Sequence, residues 1–263
     1  KWHQPEGILR IANGPLSTWR CSPETIQETH KLARQYDSFS HLHAAETRDE
    51  VQMCLDDHGL RPVEWLDSVG VLNQDTQLVH AVWVNKTDLK LLQESGETVV
   101  LCPVSHAVIG SGIAPIAKLY KQTAVTRLGT DGPASNDTQD MWETTKYAFG
   151  LCNAVNLEAT ALLPENALSM AMGGSKKNLD GVGVAPGMAA DVIVVDLDHP
   201  RIAPVHDLTS SLVLSVHGSD VDTVIVDGKV LMRNKQVLVV DEPQLLEECR
   251  AAAKNLRKKA GLE

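Results

Sequence analysis

Four side chains of the kinds that hydrolytic chemistry uses stand at the ends of short apolar runs. His43 and Glu46 lie in Ser38-Phe-Ser-His-Leu-His-Ala-Ala-Glu-Thr47, the carboxylate three residues after the second histidine. His80 closes Gln77-Leu-Val-His80, and Asp131 follows Val125-Thr-Arg-Leu-Gly-Thr. If Ser38 to Ala44 is a strand, His41 and His43 share a face, because side chains alternate with period two. A histidine at the C-terminal end of a strand, with a carboxylate just beyond it, is how an α/β barrel presents a metal ligand and a general acid/base together. Histidine, glutamate, histidine and aspartate, each at a strand end, point to a metal-dependent hydrolase. One divalent metal would lower the pKa of a water. Zinc suits imidazole and carboxylate donors best, with iron as the alternative.

Lesser candidates surround this set. Trp83 and His106 fall just beyond strand ends, where substrate lining competes evenly with ordinary loop packing. Ser135-Asn136 is better read as holding the loop after Asp131 than as touching substrate. His41 is expected in the wall or behind the site. Cys102 precedes a proline at a strand end and is not read as a nucleophile. His3, His30, His58, His199, His206 and His217 are expected to be solvated or to belong to a second domain. Val182-Gly-Val-Ala-Pro-Gly lacks the Gly-Lys-Thr ending of a phosphate loop and reads as a turn.

The elements that must position these groups can be read in order. A strand is expected over Ile8–Gly14. Ser22-Pro-Glu-Thr starts a helix that runs to Tyr36. The His41/His43 strand follows, then a helix from Thr47 with Val51, Leu55 and Leu60 on its apolar side. A strand is expected over Gln77–Val84, a helix over Lys86–Glu94, and a strand over Thr98–Cys102. A short helix over Ile116–Lys121, a strand over Ala124–Leu128 and a helix over Asp140–Val155 complete the series. Met141, Tyr147, Ala148 and Leu151 are expected on the buried side of that last helix.

This is β-α repeated five times at barrel spacing, an α/β chain using about 155 residues where a complete eight-fold barrel takes roughly 250. A five-stranded open sheet is the structural alternative. After a helical stretch through Met172, Gly181 to Asp196 reads as a turn into a buried strand. Asp227-Gly228 centres a hairpin within Asp222–Met232, Gln236–Val240 is a further strand, and Pro243–Lys259 is a charged helix. The expected division is residues 1–175 as barrel, 176–242 as a small β unit and 243–263 as a terminal helix.

Composition narrows the function classes. The chain has 263 residues, is 43% hydrophobic and 22% charged, and carries a net charge of −10. That balance argues against a nucleic-acid or anionic-membrane surface. No run approaches the ~18 apolar residues of a membrane helix. The first residues, Lys1-Trp-His-Gln-Pro-Glu, do not read as a cleavable leader. Five scattered cysteines without CxxC spacing read as free thiols in a reducing cytoplasm. The absence of an initial Met and the opening residues read as a start within a longer protein.

The chain resembles the amidohydrolase superfamily in its chlorohydrolase / methylthioadenosine–S-adenosylhomocysteine deaminase branch. The resemblance is carried by His41-Leu-His-Ala-Ala-Glu-Thr47, Leu78-Val-His80, Cys102-Pro-Val-Ser105 and Leu128-Gly-Thr-Asp-Gly-Pro-Ala-Ser-Asn136. It continues through Gly187-Met-Ala-Ala-Asp-Val-Ile-Val-Val-Asp196 and Val226-Asp-Gly-Lys-Val230, nearly the whole chain in order. It implies strands 4–8 of a TIM-like (β/α)8 barrel followed by a small β-sandwich segment. It implies His43 as a metal ligand and Glu46 as proton shuttle. His80 would orient the attacking water or the departing group, and Asp131 would be both ligand and base.

The implied reaction is hydrolytic deamination of a heteroaromatic ring amine, purine, pterin or triazine-like. A ring hydrolase displacing chloride or alkylamine is the runner-up, and a truncated, metal-free, non-catalytic fragment the third reading. Three departures from the family pattern stand out. The first-strand His-x-His pair is absent, Leu16 occupies the position of a histidine found in adenosine-type members, and His106 ends the motif Cys102-Pro-Val-Ser-His106 where the family has Asn. A homo-oligomer, or a missing N-terminal segment, is expected to complete the assembly.

Overall fold

Polar caps and prolines start the helices where the local chemistry demands. The computed structural model describes residues 2–4, 8–173 and 183–262. Ser22 accepts from the Thr25 N–H and Pro23 opens α1 (Pro23–Gln35), which leads into β1 (Ser40–Ala44). Thr47 caps α2 (Arg48–His58), and Gly59 ends it in the left-handed conformation. A helix that the sequence reading did not separate, α3 (Pro62–Ser68), precedes β2 (Thr76–His80). Asn85 and Asp88 form a capping box at α4 (Lys86–Ser95), which leads to β3 (Thr98–Leu101). Next come α5 (Pro103–Val108), α6 (Ile116–Gln122), β4 (Val125–Leu128) and α7 (Pro133–Asn136). Asp140 caps α8 (Met141–Asn156), followed by α9 (Pro164–Ala171). Beyond these lie β5 (Val192–Val195), α10 (Leu208–Leu214), β6 (Val221–Val226), β7 (Lys229–Arg233), β8 (Gln236–Val237) and α11 (Glu242–Lys259).

The chain forms two compact units, residues 1–182 with 205–218, and residues 183–204 with 219–263. The expected boundary at 175/176, and the Gly181-Val182 start of the expected turn, lie outside the described residues.

In the first unit β1, β2, β3 and β4 make a parallel sheet in sequence order. The register aligns Leu42 with Leu78, Leu78 with Val99 and Leu101 with Leu128. These residues form one buried face, packed with Ile26, Leu66, Leu92, Leu119 and Ala148 from the helices. Of the alternate positions, His41, His43, Gln77 and Val100 are half-buried. The same register brings Ala44 level with His80, so the chemical residues gather at one end of the sheet. That is the α/β architecture with a parallel sheet that the sequence predicts.

Several expectations are corrected. Ile8–Gly14 is not a strand: only isolated parallel bridges, Asn13 to Ser40 and Ser17 to His43, flank β1. Pro15 follows that segment, and the carbonyls of Asn13 and Leu16 on either side of it accept from the His41 and His43 N–H groups of β1 at two separate points. The strand expected over Gln77–Val84 stops at His80, where His80 and Ala81 turn to φ 81° and 46°. Tyr147 is exposed, and Thr144, Thr145 and Cys152 share the buried side of α8 with Ala148. His30 is buried, sharing hydrogen bonds with Ser40 (3.1 Å) and Asn73 (3.0 Å), and His58 stacks on Trp65.

In the second unit β5 to β8 form one antiparallel sheet in sequence order. The hairpin turns at Asp227 (φ 50°) and Gly228 (φ 72°), the two left-handed residues of a type I′ turn. The strand β5 is half-exposed rather than buried, and β8 covers only the first two residues of the expected Gln236–Val240. The described residues of this unit hold a single sheet where the resemblance implies a small sandwich.

Candidate active site

β1, β2 and β4 each deliver a side chain at the point where the backbone leaves extended geometry. Ala45, His80, Ala81 and Asp131 all take positive φ values (55°, 81°, 46° and 65°). Left-handed backbone at non-glycine residues costs on the order of 1–3 kcal/mol each and concentrates where function over-determines geometry. Here it turns His80, Glu46 and Asp131 toward one another above the sheet.

The predicted set is brought together. The His43 and His80 rings meet edge to face with centroids 4.9 Å apart. The Nε2 atom of His80 lies 3.7 Å from Glu46 Oε2. His80 Nδ1 is 3.0 Å from His106 Nε2, and both imidazoles are buried. Asp131 accepts from Ser105 Oγ at 2.6 Å and from the Gly132 N–H at 2.7 Å.

His41 lies beside this group on the same half-buried face as His43, with its Nδ1 3.1 Å from Gln77 Oε1. Trp83 sits in the turn after β2. Its indole donates to the Ser111 carbonyl (2.7 Å), and the Arg48 guanidinium lies over its ring at 4.2 Å. His106 is on α5 rather than in a loop, and its ring turns into the cluster. Asn136 donates to the Thr130 carbonyl (2.6 Å), so it does hold the loop that carries Asp131.

Burial and neighbours separate the charge states. Burial raises the Glu46 carboxyl above its ordinary value. The Ser111 hydroxyl and His43 pull the other way, and Asp131 adds to the rise. For Asp131 burial is again the largest single influence and also raises, but the Ser105 hydroxyl, the Gly132 N–H and the Ser135 hydroxyl together hold it below its ordinary value. Burial, with His106 and His43 adjacent, pushes His80 down to about 3. Burial likewise pushes His106 down to about 4. The site therefore sets two carboxyl groups apart, Glu46 raised and Asp131 lowered, beside two buried imidazoles, His80 and His106, that burial keeps neutral. Burial pushes the Cys102 thiol up to about 12, which removes it as a nucleophile.

Three contributors escaped the sequence reading. Glu50, buried on α2, accepts from the Glu46 N–H at 2.7 Å and from Thr18 Oγ1 at 3.1 Å, pinning the turn that carries Glu46. Its place in the first turn after the Thr47 cap was the available signal, although capping residues usually look only structural. Ser111 donates to Glu46 Oε1 at 3.2 Å. It is presented by Gly112, whose added Cβ would stand 3.1 Å from the Trp83 ring. Ser105, in the Cys-Pro-Val-Ser motif, anchors Asp131.

No group of three or more His, Cys, Asp or Glu side chains among the described residues is arranged to hold a metal ion. Catalytic zinc sites use about three protein ligands, and His43 with Asp131 falls short of that number. No helix among the described residues is long and apolar enough to cross a membrane.

A model described as the amidohydrolase family matches residues 1–231. A 5-methylthioadenosine/S-adenosylhomocysteine deaminase of Thermoanaerobacter pseudethanolicus is 35% identical over 262 residues, covering 97% of this chain and 60% of the relative. A 5'-deoxyadenosine deaminase of Methanothermobacter thermautotrophicus is 38% identical over 251 residues, covering 94% and 58%. The chain thus spans about 60% of the length of the curated relatives it matches. Among solved structures, an adenosine deaminase from Xanthomonas campestris with bound zinc superposes with a TM-score of 0.90 at 30% identity, covering 96% of this chain and 59% of that one. A mutant atrazine chlorohydrolase from Arthrobacter aurescens, complexed with zinc and atraton, gives 0.87 at 26% identity, covering 95% and 57%.

Proposed function

This chain belongs to the amidohydrolase family, and on that premise we propose that it carries the proton-handling side chains of a hydrolytic deaminase acting on a heteroaromatic ring amine. The observation that supports this most is the pair of carboxyl groups with opposed environments. Burial pushes Glu46 up, which favours its acid form over that of an ordinary carboxyl. Asp131 is held down, so it stands ready to take one. Two titratable groups pushed apart in this way mark acid and base roles.

In the proposed reaction water adds to the ring carbon that bears the amine, and Asp131 accepts its proton. Glu46 protonates the adjacent ring nitrogen. Glu46 then takes the hydroxyl proton and passes it to the amine, the C–N bond breaks, the carbon keeps the oxygen as a carbonyl, ammonia leaves, and the proton held on Asp131 restores Glu46. His80, neutral at Nε2 beside Glu46, orients the water or the departing group. The substrate class is purine, pterin or triazine-like. The relatives named for adenosine-type substrates favour the first.

His43 and Asp131 are the ligands this chain offers to a divalent metal, zinc or alternatively iron, which would supply activation of water. The remaining ligands would come from a further chain segment or from a second copy of the chain. Trp83 is proposed as a wall of the substrate pocket, since its indole N–H and ring position are already fixed by Ser111 and Arg48. We place the five free thiols in a reducing cytoplasm. In barrel terms, the four parallel strands and the bridging segment at Asn13 and Ser17 correspond to strands 4–8.

A second reading, displacement of chloride or an alkylamine from a triazine-like ring, is favoured by the likeness to the chlorohydrolase. One experiment separates the readings. Metal per chain is measured by elemental analysis, and ring substrates are then screened for released ammonia, alkylamine and chloride. About one zinc or iron per chain with ammonia release is the expected result. Chloride or alkylamine release selects the second reading. A metal-free chain that releases nothing makes this a non-catalytic piece.

A further inference from the structure

We propose that His106 is a positioning residue that fixes the tautomer of His80, keeping the His80 proton on Nε2, where it faces Glu46. The inference deepens the deaminase reading, and its use in catalysis rests on that reading. His80 Nδ1 and His106 Nε2 are 3.0 Å apart between two rings that are only 1% and 2% exposed. Two lone pairs cannot face each other at that distance in a dry site, so one proton lies between them.

Two arrangements are possible. In one, His80 donates from Nδ1 and turns a lone pair on Nε2 toward Glu46. In the other, His106 donates from Nε2 and His80 carries its proton on Nε2. The surroundings of His80 Nε2 decide. Glu46 Oε2 lies 3.7 Å away, and Asp131 also acts on the ring electrostatically. An N–H directed at carboxylate oxygens is attractive and a lone pair is repulsive. His43 meets the ring edge-on at 4.9 Å and offers no competing donor contact to Nδ1, which His106 already occupies.

His106 is held for this task. Its N–H closes on the Cys102 carbonyl at 2.9 Å in the first turn of α5. The preceding residue, Ser105, grips Asp131. One short helix thus orients both the carboxylate and the imidazole, and the departure from the family motif at position 106 becomes a donor for His80. Space filling alone would need no nitrogen at this place.

The test is ring-nitrogen NMR on the full chain labelled with 15N-histidine near pH 7.5, with the His80 signals identified by their loss in His80→Asn. The wild type is expected to show His80 as the Nε2–H tautomer alone. His106→Gln, whose amide can donate to Nδ1, is expected to keep that pattern. His106→Leu, which fills space without a donor, is expected to lose it, and to lower kcat on the order of 100-fold with KM little changed. An Nδ1–H tautomer in the wild type, or an unchanged pattern in His106→Leu, overturns the proposal. If the pattern is as expected but no ring amine is hydrolysed, the deaminase reading fails and the tautomer assignment stands.

Discussion

The two ends of the parallel sheet bury titratable groups in opposite ways. At the end where the strands begin, His30 is shared between Ser40 and Asn73, Glu97 takes the Ser95 hydroxyl, and Thr123 and Thr126 bond each other at 2.7 Å. His30 and the two threonines are satisfied by a neighbour close in sequence or by the adjoining loop, while Glu97 has a partner on one carboxyl oxygen only. At the other end, His80, Glu46, His106 and Asp131 come from four different segments and face one another. The first arrangement closes the core and the second leaves charge states poised for transfer. Mutations at the two ends should therefore separate stability from turnover.

The largest effect on stability is expected at Glu97, which is fully buried, has an Oε1 without a hydrogen-bond partner, and is pushed by burial up to about 7. Its folded pKa lies above the ordinary 4.5, so the folded state binds the proton more tightly. Stability is then lost as pH rises from about 4.5 to about 7, with the loss complete above that window. Glu97→Gln should remove this dependence and stabilise the protein at pH 8 by on the order of 3 kcal/mol, with no change in turnover. Denaturant melts at pH 5 and pH 8 check it, and equal pH dependence in both proteins would break the contrast.

At the end proposed to be catalytic, Glu50→Gln places an amide N–H against either the Glu46 N–H or the Thr18 hydroxyl. The Glu46 turn should loosen, and kcat should fall by about 100-fold, equivalent to ~2.7 kcal/mol. Steady-state kinetics against the wild type measure this. Removing the Asp131 clamp in Ser105→Ala should raise the Asp131 pKa. The acid limb of the pH–rate profile should move to higher pH, with about a tenfold loss of kcat at the low-pH side. The smallest change is Ser40→Ala, which strands one His30 nitrogen. About 1 kcal/mol of stability should be lost, with turnover unaffected, as thermal melts and rate assays on the same preparation would show.

Much of this arrangement was legible in the sequence, for identifiable reasons. Period-two alternation in Ser40–Ala44 and the strand-end positions of His80 and Asp131 placed three site residues. The caps at Ser22 and Thr47, like the Asp-Gly hairpin, are signals carried by adjacent residues. What escaped depends on contacts across the fold. Glu50 and Ser111 reach Glu46 from a helix and a glycine-flanked loop, and no spacing rule marks them. His106 read as half substrate lining, because its burial against His80 follows from α5, a helix started by Cys102-Pro103 that was not separated from its loop. The missing strand over Ile8–Gly14 had apolar residues enough, but Ile8, Leu9 and Ile11 are exposed, and the segment makes two bridges instead of a ladder.

The antiparallel unit gives the complementary lesson. Its hairpin was plain from Asp227-Gly228, yet α11 has no buried residue and β5 is half-exposed, so apolar runs alone did not establish burial there.

The central claim is that Glu46 moves the proton between ring and leaving amine, and Glu46→Gln tests it most directly. Ammonia release from a ring amine turned over by the intact wild-type protein is measured alongside the variant, with metal content and melting temperature as controls. The account predicts a loss of at least about 1,000-fold in kcat, with metal and melting unchanged. Turnover of the variant at the wild-type rate would contradict it.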